Sequence, residues 1–306
     1  MGTGELYRGS MIREAERMQK RGLVLMIFLL VMVIASGCSK PAALPAPEPE
    51  PPNSAPVIAA GRFLIAGSGT NLPITEKLAT AYNAKFKAGV EIPKSIGTDG
   101  AIKAVQTGAL DMGLISRDLT AEEKATGLKE IPYARVGVVF ATHPDTPDND
   151  IGIVDILKIH QGGKTTWSDG RKIVVLVRNI YDSSNLLLFK TIPGFEAVLK
   201  RSLAEKRWQV MYHDAEMSNG LRTKPGAFGH TDTTEVKISS GIKALTVDGI
   251  AATPENIQTG RYPFSKQLSF VYKDPLSDRA KAFASFVDSA EGRSIVSSYG
   301  GIPVAK

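Results

Sequence analysis

Strands and helices alternate along most of this chain, which predicts an α/β architecture with mostly parallel sheets flanked by helices. Three stretches carry that prediction. Phe63–Ile74 reads as a short apolar strand, a glycine-rich turn and the first turn of a helix. Gly97–Lys103 repeats the pattern, a glycine-bearing turn opening a second helix. Val136–Thr142 is a continuous apolar run, of the kind buried on both faces of a parallel sheet. Apolar residues make up 43% of the 306 residues, enough for the cores of one or two domains.

The chain begins with a targeting pattern. Lys20 and Arg21 precede an apolar run, Leu23–Ile34, too short for a comfortable membrane span. It ends in Ala35-Ser-Gly-Cys38, followed by Ser39, and resembles a bacterial lipoprotein signal with Cys38 as the lipidated residue. Residues 1–37 are then the signal peptide, and the product is an envelope or periplasmic protein held by a lipid anchor. Ser39 is compatible with outer-membrane sorting. The stretch before Lys20 is long for a basic leader, which points to Met11 or Met18 as the start of translation. Cys38 is the sole cysteine, so no internal disulfide forms. Residues 38–57 continue as a proline-rich, semi-rigid tether. The net charge of +6 is spread without dense runs, so no nucleic-acid footprint is indicated.

In the folded part, Phe63–Ala66 is the first strand and Gly67–Asn71 the turn. Pro73 suits the start of a helix, because its missing N–H has no partner there in any case. Leu78, Ala81, Tyr82 and Phe86 continue that helix at helical spacing. Such a turn aims backbone N–H groups and the positive end of a helix dipole at one spot, which suits a small anion. Ile102, Val105 and Gln106 extend the helix opened at Gly97. A strand at Asp111–Ile115 ends in Ser116-Arg117-Asp118, and Thr120 with Glu123 forms a capping box. Ile151–His160 reads as a helix and Ile173–Val177 as a strand that delivers Arg178. The polar turn Asn179–Asn185 then enters a helix, with Asp182 or Ser183 as N-cap. A short strand follows Pro225, another spans Lys243–Val247, and Phe270–Lys273 is the last long one. Ala280, Phe283, Phe286, Val287, Ile295 and Val296 mark one long amphipathic helix.

These segments, in this order, resemble the periplasmic phosphate-binding proteins of ABC-type phosphate importers. The likeness rests on Gly67–Pro73, Gly97–Lys103, Asp111–Leu119, Ile159–Asp169, Pro225–His230, Lys243–Phe264 and Ala290–Pro303. No one of these is specific; their order is. The resemblance implies a two-lobe, type II-like binding-protein fold with the ligand in the interlobe cleft. Lobe 1 would combine 58–138 with 235–306, and lobe 2 would be 139–234.

The resemblance also implies the ligand set. Ser68, Gly69, Thr70 and the backbone N–H of Asn71 would hold anion oxygens from the first loop, and Thr98 and Asp99 would face it from the second. Ser116 and Arg117 stand where the family places polar groups after the strand. Arg178 falls on the family's cleft arginine, a planar fork suited to two oxygens of an oxyanion. The third loop departs from the family's serine-glycine-threonine, with Asp182, Ser183 and Ser184 in its place. A carboxylate repels a dianion at contact distance by several kcal/mol at an effective dielectric of about 20. Three outcomes are open: Asp182 turns away as a helix cap, pairs with Arg178 or Arg117, or changes the ligand. A cleft carboxylate can also accept the proton of monoprotonated phosphate and so reject sulfate.

The implied function is capture of inorganic phosphate and delivery to the permease subunits of an ABC importer, by a monomer without cofactor or metal. The alternative is a divergent relative that binds another oxyanion or acts in sensing or surface attachment. An enzyme has little support: His143, His160, His213 and His230 are scattered, and no metal-ligand spacing or nucleophile elbow occurs. Trp167 and Trp208 are expected to pack rather than touch ligand.

Overall fold

The computed structural model of the chain describes residues 62–304; the signal, Cys38 and the tether lie outside the described residues. β1 (Phe63–Leu64) and β2 (Ala66–Gly67) lead through a 3-10 turn (Gly69–Asn71) into α1 (Leu72–Phe86). β3 (Val90–Glu91), α2 (Gly97–Gln106), β4 (Met112–Ile115), α3 (Ala121–Ala125) and the long β5 (Leu128–Thr142) follow. Next come β6 (Asp150–Ile151), α4 (Ile153–Gln161), β7 (Val174–Arg178), α5 (Ser183–Thr191) and α6 (Phe195–Ala204). β8 (Gln209–Met211), α7 (Asp214–Thr223), β9 (Ala227–Asp232), α8 (Thr233–Ile238), β10 (Lys243–Ala244) and β11 (Thr246–Val247) continue the chain. It closes with α9 (Pro254–Gln258), β12 (Ser265–Lys273), α10 (Asp278–Asp288), α11 (Ala290–Ser298) and β13 (Ile302–Pro303). Among the described residues no helix is long and apolar enough to cross a membrane.

The main sheet runs β2-β4-β12-β5-β9-β7-β8, with β10 and β13 also on β5. The expectation of mostly parallel sheets needs correction, because the sheet is mixed. Parallel pairs form at its two ends, β2 with β4 and β7 with both β8 and β9. The centre is antiparallel: β12 pairs with β4 and β5, and β5 with β9. The reason is connectivity. β5 carries the chain across the sheet in one direction and β12 carries it in the other.

Two apolar cores flank this centre. One gathers Val138, Phe140, Ile156, Val177, Phe228 and Phe264, and includes the buried Trp167, whose indole N–H donates to Gly226 O at 3.0 Å. The other gathers Ile65, Leu78, Tyr82, Leu114, Val136, Phe270 and Phe283. β5 therefore feeds one core through Val136 and the other through Val138 and Phe140.

Two further expectations change. The single C-terminal helix is two, because Ser289 leaves helical geometry (ψ 164°) and caps α11 by accepting from Gly292 N at 3.2 Å. Lys243–Val247 is two short strands: β10 lies antiparallel on β5, and β11 parallel on β6. Leu245, buried between them, turns the chain from one partner to the other.

His160 makes the first core sensitive to acid. Its Nδ1 lies 2.8 Å from Ile156 O, and the ring packs edge-on to Phe195 and Phe228. Burial pushes the imidazole down to about 4 from its ordinary 6.5. A depressed histidine contributes stability that is whole above the unfolded value and is lost as pH falls toward the folded one. The loss between roughly pH 6.5 and pH 4 is about 3 kcal/mol. Asp232, pushed up to about 6 by its burial, acts oppositely in nearly the same window. The expected result is therefore a comparison: in urea melts, wild type loses about 3 kcal/mol relative to His160→Gln on going from pH 7 to pH 4. Parallel pH profiles for the two proteins would discard this account.

Candidate functional site

The three turns singled out in the sequence meet in space. Ser68 Oγ, after β2, lies 2.8 Å from Ser116 Oγ, after β4, and Ser116 Oγ lies 2.8 Å from Ser183 Oγ, at the start of α5. Ser116 N donates to Thr98 Oγ1, in the first turn of α2, at 3.3 Å. The N-termini of α1, α2 and α5 thus converge on one region and add positive potential there. Tyr133, stacked on Phe270 at a bulge in β5, fixes the first turn: its hydroxyl meets Asn71 Nδ2 at 2.9 Å and Thr75 Oγ1 at 3.1 Å.

A cleft of about 340 Å³ opens over this region. Ser68, Gly69, Thr98, Asp99, Arg117, Arg178, Asp182 and Ser183 line it, with Asp214, Tyr181 and Tyr212. Thr70, Asn71, Ser116 and Ser184 lie buried behind it.

Lys266 is the residue that sequence reasoning missed. It sits in β12, only 6% exposed, between Phe264 of one core and Leu268 of the other. Its ammonium donates to Thr70 Oγ1 at 2.9 Å, Ser183 Oγ at 3.0 Å and Ser184 Oγ at 2.8 Å. No carboxylate of the described residues lies within ion-pair reach of it. The signal was available: Lys266, Leu268 and Phe270 alternate, which puts a lysine on the inward phase of a strand. Reading that strand only from Phe270 hid it.

Arg178 takes a different posture from the open fork expected of it. Nε and Nη2 donate to Asp182 Oδ2 at 3.1 and 2.8 Å, Nη2 reaches Asp214 Oδ2 at 3.3 Å, and Nη1 reaches Met211 O at 3.4 Å. Four of the five guanidinium N–H groups are thereby engaged, so one remains for a ligand where the resemblance implied two. Burial opposes the Arg178 charge, but Asp214 and Asp182 outweigh it and raise its proton affinity. Burial also opposes ionisation of Asp182, yet the neighbouring His230, Arg178 and Lys266 hold that carboxyl well below the usual range. His230 Nε2 stands 4.0 Å from Asp182 Oδ1 and, among the described residues, meets no hydrogen-bond partner within normal range.

Of the outcomes open for Asp182, two occur together. It caps α5, accepting from Ser184 N at 2.9 Å, and it pairs with Arg178. Asp99 pairs with Arg117 at 2.7 Å, and Arg117 also grips Glu123 at 2.8 Å. One expectation fails on geometry. The backbone N–H of Asn71 donates to Ser68 O at 3.1 Å and its side chain to Ile115 O and Tyr133, so Asn71 builds the turn instead of facing the cleft. Asp214 was also unread. Its carboxylate packs against Gly69, where even a Cβ would come within 2.9 Å of Asp214 Cγ, so the turn and α7 approach this closely only with glycine there.

By contact, each rim arginine holds two carboxylates, Arg117 those of Asp99 and Glu123 and Arg178 those of Asp182 and Asp214, while the buried ammonium below meets hydroxyls. Such an arrangement of hydroxyls, helix N-termini and an ammonium in contact with no carboxylate can bind an anion.

The comparisons agree with this chemistry. The phosphate-binding protein PstS of Bacillus subtilis is 27% identical over 304 residues, 94% of this chain and 95% of its own. Phosphate-binding protein PstS 2 of Streptococcus agalactiae is 32% identical over 113 residues, so the match spans 38% of that relative's length. A Clostridium perfringens structure, described as a phosphate ABC transporter substrate-binding protein with bound phosphate, is 29% identical with a TM-score of 0.71; the match covers 80% of this chain and 100% of that one. A family model for the PBP superfamily domain matches residues 48–291, and the chain belongs to that superfamily.

Proposed function

We propose that the protein captures inorganic phosphate outside the cytoplasm and delivers it to the permease of an ABC importer. The observation that carries this reading is the buried Lys266 ammonium, ringed by hydroxyls, beside three helix N-termini and without a carboxylate partner. A buried charge with no carboxylate in contact is costly, and an oxyanion arriving in the cleft adds a counter-charge close to it. The names of the relatives support phosphate as that oxyanion. Binding needs no chemistry on the ligand. Ser68, Thr98 and Ser183 offer hydroxyl donors at the cleft, and Arg178 adds one N–H.

In the same reading, the core around Leu78, Leu114 and Phe270 belongs to one lobe and the core around Ile156, Val177 and Phe228 to the other. Leu245, Val247, Ile257, Tyr262 and Phe264 pack in the second, so the stretch 243–264 goes with 139–234 and the expected lobe boundary is corrected there. β5 and β12 cross between them, and ligand contacts from both sides favour the closed form. Cys38 would hold the monomer to a membrane through its lipid, and the permease would read the closed shape.

Calorimetric titration of ligand-stripped protein with phosphate, then sulfate, tests the proposal. The expected result is saturable heat with phosphate at micromolar dissociation constant or tighter, about −8 kcal/mol. Sulfate is expected to bind at least about a hundredfold more weakly, since the Asp182 and Asp214 carboxylates at the cleft accept hydrogen bonds and sulfate has no proton to offer. Folded protein that gives heat with neither anion refutes the transport reading.

A further inference from the structure

We infer that Lys266 sets the direction of the hydroxyl hydrogen bonds under the cleft, so that the cleft floor presents protons outward and is matched to an acceptor-only face of a tetrahedral dianion. The inference rests on the phosphate reading above and names the residue that gives that site its polarity.

An ammonium has three donors and no acceptor. At Lys266 all three are directed at hydroxyl oxygens, those of Thr70, Ser183 and Ser184, so each of these oxygens must accept. Ser183, Ser116 and Ser68 then form a chain with two internal hydrogen bonds, each 2.8 Å. Three hydroxyls carry three protons, and the two bonds use two of them. The third cannot return to Lys266, which accepts nothing. Ser116 Oγ is buried and among the described residues has no acceptor besides these two, so it donates to one of them and the spare proton leaves the chain at an end; both ends, Ser68 and Ser183, line the cleft. Thr98 is set in the same sense, since its oxygen accepts from Ser116 N and its own proton is left to point elsewhere.

The charged groups around Lys266 do not undo this. Asp182 is tied to Arg178 and to Ser184 N, and Asp232 accepts from Thr234 N and Glu235 N at the head of α8. Both lie outside ion-pair reach of the ammonium, as does His230. In a low-dielectric interior a chain of hydroxyls that starts from a cation is polarised along its length, which strengthens the last donor. Lys266 acts through the hydroxyls and is a positioning residue. Substituting it with a side chain lacking donors frees Ser183 to turn its proton inward, and the floor of the cleft loses both its charge and its fixed sense.

The experiment is titration of the ligand-stripped full chain with inorganic phosphate, comparing wild type, Lys266→Met, Lys266→Arg and Ser116→Ala, each checked for folding by circular dichroism. Lys266→Met is expected to weaken phosphate at least about a hundredfold, the loss of a charge-assisted array. Lys266→Arg keeps a donor-only cation and is expected to stay within about tenfold of wild type. Ser116→Ala, which does not line the cleft, is expected to weaken binding about tenfold by cutting the chain. A folded Lys266→Met that binds like wild type overturns the inference, as does a folded Lys266→Arg no better than Lys266→Met. If Lys266→Met does not fold, Ser116→Ala decides: weakened binding supports the inference and unchanged binding overturns it. Wild type that binds no phosphate brings down the functional reading itself, whereas wild type that binds with the variants unchanged brings down only this inference.

Discussion

Arg178→Ala is expected to abolish phosphate binding, with no heat at millimolar phosphate, although the guanidinium has at most one N–H to give the ligand. The effect comes from what the substitution exposes. Asp182 and Asp214 both rely on Arg178, at 2.8 and 3.3 Å, and both line the cleft. Without the cation, each ionised carboxylate repels a dianion about 6 Å away by roughly 5 kcal/mol at an effective dielectric of about 20. That is more than a thousandfold in affinity for either one. Leaving a buried ion pair half-made also lowers stability, by about 3–5 kcal/mol. The control separates repulsion from a lost contact. Adding Asp182→Asn and Asp214→Asn to Arg178→Ala removes both carboxylate charges, and the triple variant is expected to recover binding to within about a hundredfold of wild type. A folded triple variant that stays silent would mean that Arg178 holds the anion directly, and an Arg178→Ala protein binding within tenfold of wild type would sink the account altogether.

A linear sequence displays only some parts of such a site. The turns at 67–71, 97–100 and 179–185 were legible because each combines small polar residues with a helix start, a local grammar of capping and turn chemistry. Arg178 was legible as the last residue of an apolar strand. Its partners were not equally so. Asp182 is four residues on and local; Asp214 arrives from another helix, whose apolar side is only Met217 and Leu221, a weak period to detect. Lys266 is separated from Thr70 by most of the folded chain, and its meaning depends on β12 crossing the sheet centre. The same distinction explains the sheet. Apolar runs mark strands, but strand direction follows from which segments cross and which return, and that is a long-range property. The break at Ser289 was missed because Phe286, Val287, Ile295 and Val296 keep a helical spacing on both sides of it.

Gly67→Ala is the substitution expected to damage both fold and site most severely for one methyl group. Gly67 lies in β2, in register with Leu114 of β4. A Cβ there would overlap the Leu114 carbonyl oxygen and come within 2.7 Å of Leu114 N and 2.8 Å of its carbonyl carbon. These are backbone atoms of a buried strand, so no side-chain rotation relieves the overlap. Two anchors of the site depend on the same spot. Ser68 N donates to Leu114 O at 2.9 Å, and Gly67 O accepts from Ile96 N at 3.0 Å and Ser95 Oγ at 2.9 Å. Moving β2 away from β4 therefore displaces Ser68 and loosens the approach to α2 together. The expected loss is about 3 kcal/mol or more of stability, with phosphate binding beyond detection. Gly97→Ala is the informative comparison. Gly97 has φ +75° but open space around its Cα, so the added methyl costs only the left-handed backbone term, about 1–2 kcal/mol. Urea melts and phosphate titrations of the two variants separate overlap from backbone strain. Gly67→Ala as mild as Gly97→Ala would show that β2 and β4 can part at this point without consequence, and the tight strand contact would no longer explain how the first two turns are held together.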